Sequence, residues 1–289
     1  MSTVEVLQAP RADGALAAAP AAVLVRPTPA RARRGIPLPR WARRLIAPLV
    51  VLGIWQLICS MGVFTPLELA SPVAVVNAGR ELWAQGQFQS NLAVSLERVA
   101  VGLGLGLAIG VTLSVLSGLF HWGEDLIDPL VQAARSVPIL GLLPLVVIWF
   151  GIGEAPKIFL IALGVTFATY INTYAAIRGV DMKLIEAGTT FGLNRFGLIR
   201  KIILPGSLPG FLVGLRLSLV HSWLIIVVAE QINAKSGIGY LINAAQTWGR
   251  TDIILLGCTV YAVLGLLADF VVRRLERTLL AWRRGYEGG

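Results

Sequence analysis

Apolar residues gather into six long runs, at about 45–63, 92–119, 130–150, 158–177, 211–229 and 253–272. A helix needs about 20 apolar residues to cross the hydrocarbon core of a bilayer. Each run therefore predicts a membrane-spanning helix, and together they predict an all-α integral membrane fold with six spans. The polar interruptions differ in kind. Residues 64–91 are mixed and predict a short surface helix around 73–83. Residues 120–129 read as a short solvated loop holding His121, Glu124, Asp125 and Asp128. The longest amphipathic, cationic interruption is 181–209, DMKLIEAGTTFGLNRFGLIRKIILPGSLP. It predicts two short helices. Asp181 caps the first and Gly192, in a left-handed conformation, stops it; Asn194 caps the second and Pro205 ends it.

Small residues mark one face of the second run. Gly102, Gly106, Gly110, Ser114 and Gly118 recur every four positions. In lipid, close backbone approach replaces the hydrophobic effect as the drive for helix association, so this stripe predicts a tight helix–helix seam. The third run holds Pro138, Pro144 and Gly141, with Arg135 near one end. A helix kinked there either lines a pathway or is simply bent.

Composition agrees with the pattern: 56% of the 289 residues are hydrophobic and 14% charged, with a mean hydropathy of +0.74. The net charge of +9 suggests nucleic acid at first sight, but the placement of the bases follows membrane topology instead. Eight arginines precede the first run, five basic residues lie in 178–206 and five in the C-terminal tail, against Arg80, Lys157, Lys235 and Arg250 on the alternate side. That asymmetry predicts cytoplasmic termini and a cytoplasmic 181–209 segment. Residues 1–40, rich in Ala, Pro and Arg without periodicity, predict a disordered cytoplasmic tail. Residues 41–275 form the transmembrane domain and 276–289 a second cytoplasmic tail. Cys59 and Cys258 both fall in apolar runs and read as small hydrophobes, not a disulfide framework.

Chemistry for catalysis is missing. The four lysines follow Pro156, Met182, Arg200 and Ala234, so none completes a phosphate-binding loop. An ATP-driven step then needs another chain. His221 and Ser222 are neighbours within the fifth run, with no acid converging on them, which argues against an intramembrane hydrolase. A secondary transporter would show paired mid-depth carboxylates and an inverted repeat, and neither is evident. Polar residues inside spans need a reason. Thr166, Thr169, Tyr170 and Thr173 recur at helical spacing with Asn172 beside them, and Arg216, Trp223 and Glu230 fall near one face of the fifth run. Singly they read as interhelical hydrogen bonds or interfacial anchors. As a set, with Arg135, they predict a wet lining built from the third, fourth and fifth helices. Asp269 and Arg273, four apart, predict a local ion pair.

The 181–209 segment resembles the EAA loop of ATP-binding-cassette (ABC) importer permeases. Glu186, Ala187 and Gly188 are followed by Gly192, then by Ile203, Leu204 and Pro205. Gly188 stands where that pattern has a second alanine. Over residues 45–275 the chain looks like the aliphatic-sulfonate, taurine and nitrate permeases, nearest the aliphatic-sulfonate permease subunit. The stretches that carry this are Val137-Pro138, LLPLVVIWFGIGEAPKIFLIALG, YINTYAAIRGVD at 170–181 and AEQINAKSGIGYL at 229–241. The resemblance implies a type I (MetI-like) importer core. It also implies a homodimer of permeases embedded in lipid, two cytoplasmic ATPase subunits that bind the ATP and magnesium, and an extracytoplasmic solute-binding protein. In such an assembly Glu186, Ala187, Gly188, Gly192, Leu204 and Pro205 would form the ATPase-coupling segment. Ser236, Gly237 and Gly239 would face the binding protein. The expected solute is an aliphatic sulfonate, with nitrate, taurine or a vitamin precursor as alternatives.

Overall fold

The computed structural model describes residues 40–280 and residue 282. Of the tail expected over 1–40 all but Arg40, and the last residues of the one expected over 276–289, lie outside the described residues. The described residues divide into two units between Ala47 and Pro48. Of the first unit only the opening turns of helix α1 (Arg40–Ser60) are described.

Among the described residues there are eleven α-helices and no strand. After α1 come α2 (Pro72–Ala84), α3 (Gln87–Leu119), α4 (His121–Arg135), a 3-10 turn (Ile139–Leu142), α5 (Leu143–Phe150) and α6 (Ala155–Arg178). Then follow α7 (Met182–Thr190), α8 (Arg195–Leu198), a π-helical turn (Ile199–Ile203), α9 (Leu204–Asn233), α10 (Ile238–Thr247) and α11 (Thr251–Leu279). The expected surface helix around 73–83 is α2, started by Ser71, whose hydroxyl accepts from the Ala74 N–H at 3.2 Å.

Among the described residues four helices are long and apolar enough to cross a membrane: α3, α6, the continuous run 195–232 and α11. The apolar part of α1, Ile46–Ser60, is shorter. The third expected span departs furthest from a straight helix. Its residues belong to two helices bent by 82° across the break before Ile139. Val137 precedes Pro138, and a residue before proline is pushed out of the helical region. The expected loop at 120–129 is in fact the first half of α4, an amphipathic helix whose carboxylates hold the neighbouring span. Asp128 accepts from the Tyr170 hydroxyl at 2.9 Å, and Glu124 pairs with Arg178 at 2.9 Å.

Helix α6 is the centre of the bundle, flanked by α3 and α9. The small-residue stripe of α3 lies on it. A Cβ added at Gly106 would sit 2.5 Å from the Ala162 carbonyl oxygen and 2.6 Å from Val165 Cβ, so only glycine admits this approach. On the other flank Gly210 of α9 meets the Ala176 Cβ, and Gly214 meets Asn172. Gly206, Gly210 and Gly214 repeat the spacing of four already seen in α3. The buried core gathers Leu160, Ile161 and Val165 of α6 with Val99, Val146, Ile226 and Ile238. Opposite faces carry exposed Leu105 and Ile109 on α3 and Leu266 and Phe270 on α11, as a lipid solvent allows. Both cysteines are free, and Cys258 is exposed rather than buried.

Candidate functional site

Two sites lie at opposite ends of α6, about 36 Å apart for a 24-residue helix. The first follows its C-terminus. Asp181 starts α7 by accepting from the Lys183 N–H at 2.9 Å. Gly192 stops it at φ +81°, with its own N–H donating to Thr189 O at 2.9 Å and the Leu193 N–H to Gly188 O at 3.0 Å. This is the paired closure of a Schellman turn, and it needs glycine because the left-handed conformation disfavours a Cβ. Asn194 starts α8 by accepting from the Gly197 N–H at 2.8 Å.

Pro205 does not end the second helix. Helix runs unbroken from 195 to 232. Proline lacks an N–H and its ring crowds the carbonyl four residues back. The wider π turn Ile199–Ile203, closed by Leu204 N–H to Ile199 O, lies directly before Pro205 and opens the helix where the ring needs room.

Gly188 explains the departure from Glu-Ala-Ala. It is the buried residue of α7, and a Cβ there would lie 2.5 Å from Ile202 Cδ1 and 2.8 Å from Leu198 Cδ2. Glycine thus lets α7 lie tightly on the π turn. Glu186 and Ala187 point outward and are exposed, as are Leu204 and Pro205. Around them Met182, Leu184, Phe191 and Phe196 are exposed, Phe191 by 87%. Charged Lys183, Glu186 and Arg195 are interleaved with these apolar groups, a mixture that suits a protein partner better than lipid.

The residues expected to line a pathway are not brought together around one. Thr169, Tyr170, Thr173 and Trp223 are buried. Thr169 hydrogen-bonds Ser218 of α9 at 2.9 Å, Tyr170 donates to Asp128, and Asn172 turns back to Ala168 O at 2.8 Å. Trp223 packs on Tyr261, ring centroids 6.4 Å apart. Arg135 lies exposed at the end of α4. Thr169 and Tyr170 thus tie α6 to α9 and α4, whereas Asn172 bonds only within α6, and the Thr173 hydroxyl and the Trp223 indole N–H are buried without a hydrogen-bond partner.

The second site surrounds the N-terminus of α6, and residue patterns did not reveal it. Arg98 of α3 and Lys157 of α6 are each 2% exposed, and Glu230 of α9 is fully buried. Arg98 uses all five of its N–H donors. Nη1 donates to Glu230 Oε1 and Ser236 O, both at 2.7 Å, and Nη2 to Ser236 Oγ at 3.1 Å. Nε and Nη2 grip the Glu154 carboxylate as a fork, the Nη2 contact at 2.8 Å. Glu230 also accepts from Ser95 Oγ at 2.8 Å, the Gly239 N–H at 2.8 Å and the Tyr261 hydroxyl at 3.1 Å. Lys157 Nζ donates to Gly153 O at 2.7 Å and lies 3.6 Å from Glu154. Two acids and two bases therefore balance.

Ser236, Gly237 and Gly239, expected to face a binding protein, turn inward to this cluster instead. Gly237 and Gly239 are buried. Gly237 adopts φ +113° and donates to Asn91 Oδ1 at 2.7 Å, and a Cβ there would strike the Glu230 carboxylate. Their smallness lets the chain pass over a buried acid. Glu154 alone reaches outside, its side chain 56% exposed. The hydrogen bonds from Arg98 hold its carboxyl below the usual glutamate range, against partial burial that raises it, with the Arg98 and Lys157 charges adding to the lowering.

Known proteins carry the same plan. The family of binding-protein-dependent transport system inner membrane components matches residues 102–280. The chain is 42% identical to the aliphatic sulfonates transport permease protein SsuC of Bacillus subtilis, over 91% of this chain and 94% of that one. It is equally 42% identical to SsuC of Escherichia coli, over 86% and 96%. It is 33% identical to the taurine transport system permease protein TauC of Escherichia coli, over 85% and 92%. Among solved structures, an amino acid ABC transporter crystallised with histidines superposes with a TM-score of 0.59 at 16% identity, over 69% of this chain and 97% of that one. The inward-facing methionine ABC transporter MetNI follows with 0.53 at 20%, over 70% and 98%. The bundle centred on α6 is thus the fold of ABC importer permeases, and the chain belongs to the binding-protein-dependent transport system inner membrane components, a non-catalytic membrane subunit of a transporter.

Proposed function

We propose that the chain carries aliphatic sulfonates across the bacterial inner membrane as the permease subunit of an ABC importer. The observation that carries this is the 42% identity, over nearly the whole length, to aliphatic sulfonate permeases of two distant bacteria. Taurine is the second reading, from the relative at 33%; taurine is itself a sulfonate, so both readings share the anionic group.

In this reading both termini and α7 lie in the cytoplasm, which the arginine distribution supports. Two copies of the chain sit in lipid around the pathway, with two ATPase subunits that bind ATP and magnesium and an extracytoplasmic solute-binding protein. The exposed face of α7 and α8, with Glu186, Ala187, Phe191 and Phe196, seats in the ATPase. Gly188, Gly192, Leu204 and Pro205 shape that face and join it to α9. Closure of the ATPase dimer moves this segment, the bundle opens outward to accept solute from the binding protein, and hydrolysis resets it inward. No covalent chemistry occurs in this chain.

The test is reconstitution of the permease with its ATPase and binding protein in proteoliposomes, followed by uptake of labelled ethanesulfonate, taurine and nitrate. ATP-dependent ethanesulfonate uptake that excess nitrate does not suppress is expected. Uptake of nitrate without either sulfonate overturns the substrate, and uptake independent of ATP overturns the class.

A further inference from the structure

The Glu154 end of the buried charge cluster has the form of a filled anion site. Three of its four charges are fixed. Glu230 is fully buried and has four donors of its own, so it neutralises one base permanently. Arg98 and Lys157 together then leave one positive charge over. Glu154 supplies the balancing charge from outside. It occupies the edge of the cluster, half in solvent, on the short connection between α5 and α6. Gly151, at φ +77°, and Gly153 precede it, and neither has any atom within 4 Å of where a Cβ would stand. The connection is open at both glycines while its Gly153 carbonyl is held by Lys157 Nζ, and the half-exposed Glu154 side chain has solvent to rotate into.

If Glu154 swings away, what remains is a guanidinium edge, Nε and Nη2, with an ammonium beside it. Both bases are buried where Glu154 covers them, and only the Glu154 side of the cluster opens to solvent. Leaving that charge bare would be costly, so Glu154 leaves only as another anion arrives. The replacement must carry one negative charge and present two oxygens to a planar fork. A sulfonate has that charge and offers three such oxygens. A neutral solute cannot replace the lost charge, and chloride offers the fork a single centre in place of two oxygens, one for each donor.

We propose that Arg98 and Lys157 form an oxyanion site that Glu154 closes in this structure, and that the sulfonate group of an incoming solute takes the place of the Glu154 carboxylate. The assignment of sulfonate as the physiological occupant rests on the function proposed above; the oxyanion site itself does not. Exchange of one anion for another keeps the cluster neutral throughout. It also ties solute arrival to release of the Glu154 side chain from Arg98 of α3.

The test uses the full transporter complex in nanodiscs, with sodium methanesulfonate as probe and sodium chloride at equal ionic strength as control. In Glu154→Ala the vacated fork should accept the probe, raising the melting temperature by several degrees in methanesulfonate but not in chloride. Wild type, with the site filled, should shift far less. Adding Arg98→Lys to Glu154→Ala should abolish the shift, since an ammonium cannot form the fork. Glu154→Gln, which keeps the shape and loses the charge, carries the same comparison if the alanine variant does not assemble. An equal response to both salts, or a response no greater than wild type, overturns the proposal. Nitrate uptake by the wild-type system would instead overturn the assigned solute and leave this anion response standing.

Discussion

The Arg98 guanidinium donates to Glu230 at 2.7 Å, joining α3 to α9 across 132 positions of sequence, with neither side chain more than 2% exposed. Removing one partner of such a pair leaves a buried charge without compensation, at a cost of about 3–5 kcal/mol. Glu230→Ala should therefore cost stability of that order in chemical denaturation of the purified transporter. Arg98→Met combined with Glu230→Met should cost clearly less than the two single changes added, because the double variant leaves neither charge stranded. Strict additivity would show that the pair is not coupled.

The α3–α6 seam makes a paired prediction. Gly106→Val would drive a branched side chain into the Ala162 carbonyl and Val165, and backbone cannot yield cheaply. Overpacking of this kind costs about 1–3 kcal/mol, here at the top of that range or above it. Gly104→Val, two positions away with nothing within 4 Å, should be close to neutral. Thermal unfolding of the two variants side by side decides this, and similar losses in both would refute the seam.

Coupling through the α7–α8 turn predicts a separation of activities. Gly192→Pro cannot hold φ +81° and lacks the N–H that reaches Thr189 O. Glu186→Lys reverses an exposed charge without touching the core. Both variants should assemble with the ATPase yet lose most of the ATPase stimulation produced by loaded binding protein. Stimulation at the wild-type level in both would remove this segment from the coupling route.

Glu154 predicts a pH dependence. Its carboxyl is held below the ordinary 4.5 by the Arg98 hydrogen bonds. A group whose pKa is lowered on folding stabilises fully above its unfolded value, and that contribution is lost as pH falls through the folded value. The difference in melting temperature between wild type and Glu154→Gln should be constant from neutral pH down to about 4.5, then shrink on further acidification. A difference that instead grows below that point would reverse the sign of the interaction.

How much of this was legible in the sequence depended on the range of each signal. Local chemistry was plain: Asp181, Gly192 and Asn194 bound α7 and α8 as their residue types dictate, because a cap involves atoms two to five positions apart. The stripe from Gly102 to Gly118 announced a seam, though not that α6 was its partner. The equal spacing of Gly206, Gly210 and Gly214 was a readable signal for the second seam. Pro205 misled because a proline alone reads as a stop; the π turn ahead of it has no composition of its own. The polar face of α6 was visible as a period, but its partners Ser218 and Asp128 lie 49 and 42 positions away. Arg98, Glu154 and Glu230 were invisible as a set for the same reason. Each looks like an isolated charge near the end of an apolar run, and only the fold shows that those ends coincide.

The unbroken helix from 195 to 232 has a mechanical consequence. Had Pro205 ended α8, a push on that end would be absorbed at a joint. Instead 38 residues form one continuous helix, about 57 Å along its length, with the π turn, Pro205 and Pro209 as its points of give, and a tilt of about 5° displaces one end relative to the other by about 5 Å. Phe196 rides near one tip and Glu230 near the other. The exposed face at Phe196 and the buried charge cluster are thus carried on one continuous helix, with no loop between them.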